Sequence, residues 1–159
     1  MFVVTGGCGF IGSHLVDRLS RYSSRIVVID NLSSGRLENI TLHLGNSRFE
    51  FVKSDLKSWG EWVRNFRDAE VVFHFAANPE VRVSVQNPRI HFEENVVATF
   101  NVLEACRIND VSLLVFASSS TVYGDARVIP TPEDYCPLEP ISVYGASKLA
   151  CENLIISYK

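Results

Sequence analysis

The chain of 159 residues contains no long hydrophobic run and no excess of basic charge. No apolar segment approaches the roughly 20 residues of a membrane-spanning helix, so we expect no membrane association. Strand-forming residues begin at position 2, so we expect no signal peptide. Lys and Arg number 15 against 18 Asp and Glu, and this net charge of -3 argues against a nucleic-acid partner.

The sequence also lacks paired cysteines and clustered metal ligands. No C-x-x-C spacing occurs, which predicts reduced thiols of a cytoplasmic protein rather than disulfides or zinc ligands. The cysteines are Cys8, Cys106, Cys136 and Cys151. The histidines show no metal-ligand spacing, so we expect no metal site. His74 ends a predicted strand, where we expect a buried imidazole rather than an acid or base.

Alternation of short β-branched runs with longer amphipathic stretches dominates the rest of the chain. Apolar runs at 2–4, 25–29, 49–52, 71–75 and 112–117 are typical of strands buried on both faces. Helices are predicted at 11–22, 61–67, 88–108 and from a cap at Ser142 to about 158. In the first helix we expect Ile11, Leu15 and Leu19 to share the buried face. In the third we expect a face of Phe92, Val96, Val97, Phe100 and Leu103.

This β-α alternation predicts an α/β fold with a doubly wound parallel sheet. The usual order of such a sheet has six strands, and only five are predicted here. We therefore expect residues 1–159 to be one domain, the N-terminal part of a longer chain, with the sheet incomplete at its C-terminus. An irregular loop is predicted over 126–140, which holds four of the six prolines.

A glycine-rich turn, TGGCGFIG at 5–12, follows the first strand and opens the first helix. Free N–H groups and the positive end of the helix dipole at such a turn bind a pyrophosphate when no Cβ intervenes. Residues 7–12 match G-x-G-x-x-G, and Gly6, Gly9 and Gly12 also match a G-x-x-G-x-x-G variant. The turn therefore predicts a dinucleotide site, which makes this a Rossmann fold.

An acidic residue at the end of the second strand indicates which dinucleotide is bound. Asp30 lies 18 residues after Gly12, close to the spacing of the acid that binds a ribose 2′-hydroxyl. Its carboxylate would repel a 2′-phosphate, so NAD is favoured over NADP. Arg36 is the one nearby cation, and we interpret it as a solvated loop residue.

A second group of polar residues suggests chemistry beside that cofactor. Tyr144 and Lys148 are spaced i, i+4, which places phenol and ammonium on one helix face. A nearby cation lowers the pKa of a tyrosine towards the range of a useful base. The hydroxyl run at 118–121 directly follows the fifth strand, at the ligand side of an open α/β sheet.

Four segments together, TGGCGFIGSHL, DNLSSG, SSSTVYG and YGASK, resemble the extended short-chain dehydrogenase/reductase family. They are most similar to its UDP-glucose (UDP-galactose) 4-epimerase branch. The resemblance implies a catalytic set of Ser119, Tyr144 and Lys148. The NAD contacts that it implies are Gly6, Gly9, Phe10, Ile11, Gly12, Asp30, Asn31, Leu32, Ser33, Ser34, Gly35, Asp55, Leu56, Phe75, Ala76, Ala77, Asn95, Tyr144 and Lys148.

The activity that this resemblance implies is reversible oxidation at C4 of a UDP-sugar through a transient 4-keto sugar. Tyr144 would act as the base, Ser119 would orient the 4-hydroxyl, and Lys148 would bind ribose and lower the tyrosine pKa. Related dehydratases and decarboxylases place an acid just after the catalytic Ser or Thr. Ser120 and Thr121 stand there instead, which favours an epimerase. A non-catalytic NAD-binding module is the alternative from another class.

The same resemblance implies a homodimer built from the helix at 88–108 and the final helix. Leu149, Leu154, Ile155 and Ile156 would face either that interface or the sheet. The residues that select the sugar are expected beyond Lys159, so we expect the 159 residues alone to be inactive.

Overall fold

The computed structural model describes residues 1–22 and 24–159. The strands are β1 (Phe2–Thr5), β2 (Ile26–Asp30), β3 (Phe49–Lys53), β4 (Val71–His74) and β5 (Leu113–Phe116). The α-helices are α1 (Phe10–Leu19), α2 (Val83–Gln86), α3 (Arg89–His91), α4 (Ala98–Ile108) and α5 (Val143–Ser157). A π-helix, Phe92–Val97, lies between α3 and α4, and 3-10 helices occupy Leu37–His43, Glu61–Phe66 and Ser120–Tyr123.

The five strands form one parallel sheet in the order β3-β2-β1-β4-β5. Each strand lies where the sequence predicts it, with its ends moved by one residue at most. The order reverses between β1 and β4, and ligands bind beyond the carboxyl ends of the strands at such a point. The Rossmann-like α/β prediction is confirmed, and the sheet places a crevice between the ends of β1 and β4.

Two apolar clusters cover the faces of the sheet. On one face, Val4 and Val28 pack with Val16 and Leu19 of α1. On the other, Val3, Val27, Ile29 and Val72 pack with Trp62, Phe66 and Val102. All five residues of β2 are buried, as the apolar run predicts. The prediction is wrong for the edge strand β5, where Leu113 and Val115 are 51% and 38% exposed.

The buried faces of two helices differ from the predicted ones. In α1, Leu19 is buried and Leu15 packs against the core as predicted, but Ile11 points outward at 65% exposure, and Gly12, Ser13 and Val16 are buried as well. In the long helical segment Leu103 is buried as predicted, but Phe92 and Phe100 are exposed, and Ala98, Thr99 and Val102 are buried. The π-helix adds residues to one turn and thereby rotates the following face, which a uniform 3.6-residue period cannot anticipate.

Along residues 1–22 and 24–159, no helix is both long enough and apolar enough to span a bilayer.

Candidate active site

A groove of about 380 Å³ lies at the carboxyl edge of the sheet, where the strand order reverses. The glycine turn after β1, the loops after β2, β3 and β4, and the start of α5 all contribute to its walls. Every predicted NAD contact except Leu32 and Asn95 lines it. The groove thus brings together residues that are more than 140 positions apart in the sequence.

The glycine turn is shaped by close backbone contacts that no other residue permits. Gly6 has a φ of +69°, and a Cβ there would come within 2.6 Å of the Ala76 nitrogen. A Cβ on Gly12 would lie 2.3 Å from the Gly6 carbonyl oxygen. Helix α1 begins directly after Gly9, which has no side chain to cap the first N–H groups. These groups are therefore available to an anion in the groove.

Asp30 is held at the edge of the groove by two backbone amides. Its Oδ2 accepts from the Cys8 nitrogen at 2.9 Å, and its Oδ1 accepts from the Leu32 nitrogen at 2.8 Å. A carboxylate retains further lone pairs, so it can still accept from a ribose diol. Leu32 contributes this amide, while its side chain packs against the cluster on the α1 face rather than lining the groove.

Helix α5 presents Tyr144 and Lys148 to the groove one turn apart. Ser142 caps the helix, its Oγ accepting from the Gly145 nitrogen at 3.0 Å. Lys148 is only 3% exposed and donates from Nζ to the Ala117 carbonyl at 2.8 Å. Its ammonium also lies 4.7 Å from the centre of the Phe116 ring. Burial lowers the pKa of this lysine.

Asn95 lies behind the groove rather than on its wall. It is buried in the π-helix, where its amide donates to the Ser147 Oγ at 2.9 Å and its Oδ1 accepts from the Asn78 nitrogen at 2.8 Å. Ser147 in turn donates to the Tyr144 carbonyl at 2.7 Å. Asn95 therefore connects the loop after β4 to the first turn of α5. Such π-helical turns often occur at functional sites.

Ser119 is beside the groove but does not line it. Its Oγ accepts from the Thr121 nitrogen at 3.3 Å and from the Thr121 hydroxyl at 2.9 Å, which caps a short 3-10 helix. The neighbouring Ser118 does line the groove, and its hydroxyl donates to the Glu152 carboxylate. The sequence correctly places both serines in one hydroxyl run after β5, but it does not indicate which of the two lines the groove.

His74 is buried, as predicted, and satisfied on both ring nitrogens. Nδ1 lies 2.6 Å from the Thr5 Oγ1, and Nε2 lies 2.9 Å from the Thr99 Oγ1. The Thr5 hydroxyl also accepts from the Ala76 nitrogen at 3.3 Å, so this network holds the groove wall after β4. Burial, with the charge of Lys148 as a second cause, lowers the pKa of His74 to about 3.

Two charged residues of the lining, Lys57 and Glu94, were not predicted. Lys57 directly follows the predicted pair Asp55 and Leu56, and Glu94 directly precedes Asn95. The only signal for Lys57 and Glu94 in the sequence was that each adjoins a predicted cofactor contact. The pairing of Lys57 with Glu94 exists only in the folded chain.

The residues present fit a dinucleotide. The glycine turn provides a Cβ-free cradle at a helix N-terminus. Asp30, which also accepts from the Cys8 amide of this turn, provides a carboxylate acceptor beside it. Phe10 and Ile11 stand exposed at the mouth of this cradle.

Comparison with known proteins agrees with this geometry. The model of the NAD dependent epimerase/dehydratase family matches residues 2–159. The chain belongs to this family. Among curated proteins it is 44% identical to a putative UDP-glucose 4-epimerase of Methanocaldococcus jannaschii over 161 residues, covering 99% of this chain and 50% of that protein. A UDP-glucose 4-epimerase of Mycolicibacterium smegmatis is 41% identical over 160 residues, with the same coverage.

Solved structures give the same result. A UDP-galactose 4-epimerase superposes with a TM-score of 0.88 at 57% identity, covering 99% of this chain and 50% of that one. A UDP-glucose 4-epimerase of Thermus thermophilus in complex with NAD gives 0.88 at 39% identity, with the same coverage. A dTDP-glucose 4,6-dehydratase of Streptomyces venezuelae with bound NAD gives 0.88 at 30%, covering 99% and 51%. The family is NAD-dependent, and this chain spans about half the length of these relatives.

Proposed function

We propose that residues 1–159 form the NAD-binding half of a nucleotide-sugar 4-epimerase of the UDP-glucose/UDP-galactose type. The observation that carries the proposal is the position of Tyr144 and Lys148 on the groove into which the glycine turn opens. A proton acceptor beside a dinucleotide site is what oxidation of a sugar hydroxyl requires. The names of the relatives support UDP-sugars as the substrate class.

Each of the three residues has a role in this proposal. Tyr144, as phenolate, takes the proton of the sugar 4-hydroxyl and later returns it. Lys148, held by the Ala117 carbonyl, favours the ionised phenol and binds the nicotinamide ribose. Ser119 accepts from both donors of Thr121, which leaves its own O–H to donate to the sugar oxygen. NAD in this groove would supply the hydride acceptor for C4 of the sugar and the hydride donor for the other face of the transient 4-keto sugar.

The absence of an acid beside Ser119 favours epimerisation over dehydration. Dehydration needs a second proton transfer, and the two following positions are Ser120 and Thr121. The Thr121 hydroxyl is committed to Ser119. This discrimination matters because a dehydratase is also among the structural relatives.

The full-length protein, incubated with a panel of UDP-hexoses without added NAD, tests the reaction. We expect the C4 epimer of one of them, because a cofactor regenerated in each cycle stays bound. Tyr144→Phe should lower kcat at least 100-fold and leave bound NAD in place, since only the phenol oxygen is lost. Tyr123→Phe, which alters a tyrosine outside the groove lining, is the matched control.

Other products would contradict the proposal. A 4-keto-6-deoxy sugar would move the protein to the dehydratases, and bound NAD without any turnover would identify a non-catalytic module. The 159-residue chain alone serves as the negative arm, because half of each relative's length is outside it.

We further propose a homodimer in the cytoplasm. The π-helix, α4 and α5 leave apolar side chains exposed, namely Phe92, Phe100 and Ile156. Contact between the Phe100 and Tyr158 rings, 6.4 Å apart, makes α4 and the end of α5 neighbours in this surface. All four cysteines are free thiols, which supports a reducing compartment.

A further inference from the structure

Lys57 and Glu94 form an ion pair in the wall of the groove. The Lys57 Nζ lies 3.5 Å from the Glu94 Oε1 and 3.6 Å from the Asp55 Oδ2. The second oxygen of Glu94 accepts from the Asn78 side-chain amide at 2.9 Å. We call Asp55, Lys57, Glu94 and Asn78 the polar bridge. None of the catalytic roles above uses Lys57 or Glu94.

The polar bridge connects three separate segments around the groove. Asp55 and Lys57 lie in the loop after β3, Glu94 lies in the π-helix, and Asn78 lies in the loop after β4. Both ends of the bridge are anchored. Asn101 donates to the Leu56 carbonyl at 2.8 Å and to that of Lys57 at 3.1 Å, while the Asn78 nitrogen donates to Asn95. Separation of these segments would therefore break the Lys57–Glu94 ion pair.

The ion pair is sheltered enough to matter energetically. The Lys57 and Glu94 side chains are 31% and 21% exposed, so solvent screens them less than it screens a surface pair. Burial lowers the pKa of Lys57, but the charges of Asp55 and Glu94 outweigh it and raise that pKa overall. The lysine is charged at neutral pH and faces two carboxylates.

This arrangement distinguishes the bridge from a simple phosphate contact. Within the described residues, the groove lining carries two cations, Lys57 and Lys148, against the three carboxylates of Asp30, Asp55 and Glu94. Two of these carboxylates already pair with the Lys57 ammonium and offset its positive charge, so it would attract a pyrophosphate only weakly. Its contacts serve the wall rather than the ligand.

We propose that the polar bridge retains the cofactor by holding the adenosine end of the groove closed. The adenosine end is the end near Asp30, the proposed ribose contact. The bridge lies there because the side-chain amide of Asn31, the residue after Asp30, donates to Asp55 at 3.4 Å. Lys57 and Glu94 are positioning residues that hold the loops together. The inference rests on the proposed function, in which NAD stays bound through every cycle. Loss of the ion pair lets the loops separate more often and speeds release of the dinucleotide.

Release of NADH from the full-length protein tests the bridge without any turnover. The protein is loaded with NADH and chased with excess NAD, and the fall in bound NADH fluorescence gives the rate. We expect Lys57→Met and Glu94→Gln each to speed release about threefold to tenfold. The double variant should release more slowly than the product of the two single effects predicts, because both changes remove the same Lys57–Glu94 contact. Lys57→Arg should release at nearly the parental rate.

Glu93→Gln is the matched control, because Glu93 pairs with the exposed Arg89 one turn away on the outer surface. Its release rate should equal that of the parent. Unchanged rates in Lys57→Met and Glu94→Gln would overturn the bridge while the proposed function stands. Slower release in Glu94→Gln would also overturn it and make Lys57 a phosphate ligand. A parent that binds no NADH would overturn the proposed function and this inference with it.

Discussion

The buried imidazole of His74 makes the stability of the protein depend on pH. Its pKa is about 3 in the folded chain and about 6.5 in an unfolded one. Between these values the unfolded state takes up a proton that the folded state does not. His74 therefore does not reduce the free energy of unfolding well above pH 6.5. The free energy of unfolding falls as the pH is lowered through 6.5 towards 3.

We expect His74 to lower the free energy of unfolding by about 1.6 kcal/mol when the pH is reduced from 6.5 to 5. Urea titrations of the full-length protein across this range measure the effect. His74→Asn should flatten the dependence by that amount. The exposed His14, changed to Gln, should leave it as it is. Equal slopes for parent and His74→Asn would contradict the assignment.

Helix α5 carries Tyr144 and Lys148 on its first two turns, so its N-terminal cap matters for the site. The Ser142 Oγ satisfies one of the amides that a helix start leaves unpaired. The register of the helix is further held by the bond from Lys148 to Ala117 at the end of β5. The cap and this bond act on the same two turns.

Ser142→Ala should reduce the free energy of unfolding by about 1 kcal/mol, since the Gly145 amide loses its acceptor. Ser142→Asp keeps an acceptor and should be close to the parent. Ser157→Ala, which removes a hydroxyl bonded to the Asn153 carbonyl at the other end of α5, serves as the control. Denaturant unfolding compares the three variants. A loss in Ser157→Ala as large as that in Ser142→Ala would reject the cap as the cause.

Features set by local spacing were predictable from the sequence, whereas features set by distant pairs were not. The positions of Gly12 and Asp30 follow from a strand-turn-helix unit whose dimensions are fixed. The pairing of Lys57 with Glu94 spans 37 positions and exists only after folding. The exposure of Phe100 was not predicted, because the π-helix before it rotates the following helix face and is not signalled by the 3.6-residue period.

The strand order and the exposed helices together give the molecule two distinct sides. The groove opens at the carboxyl edge of the sheet, while Phe92, Phe100 and Ile156 stand on the outer helical surface. A subunit partner on that surface would cover apolar side chains and leave the groove's position unchanged.

In the full-length protein, Phe100→Glu should convert the proposed dimer into a monomer, because a carboxylate in an apolar interface is strongly unfavourable. Light scattering coupled to gel filtration measures the mass. Leu42→Glu, an equally radical change at a residue 92% exposed on another helix, should keep the parental mass. A monomeric parent, or a dimeric Phe100→Glu protein, would refute the proposed interface.

The two hydrogen bonds that backbone amides donate to Asp30 have a consequence for any attempt to change the cofactor preference. The Asp30 carboxylate, which we propose to bind the ribose, also accepts from the Cys8 nitrogen and so braces the glycine turn. Exchanging it for a neutral or basic side chain to admit NADP would loosen that brace as well. Redesign at this position therefore has to supply a new acceptor for the Cys8 amide, since the same carboxylate holds the glycine turn in place.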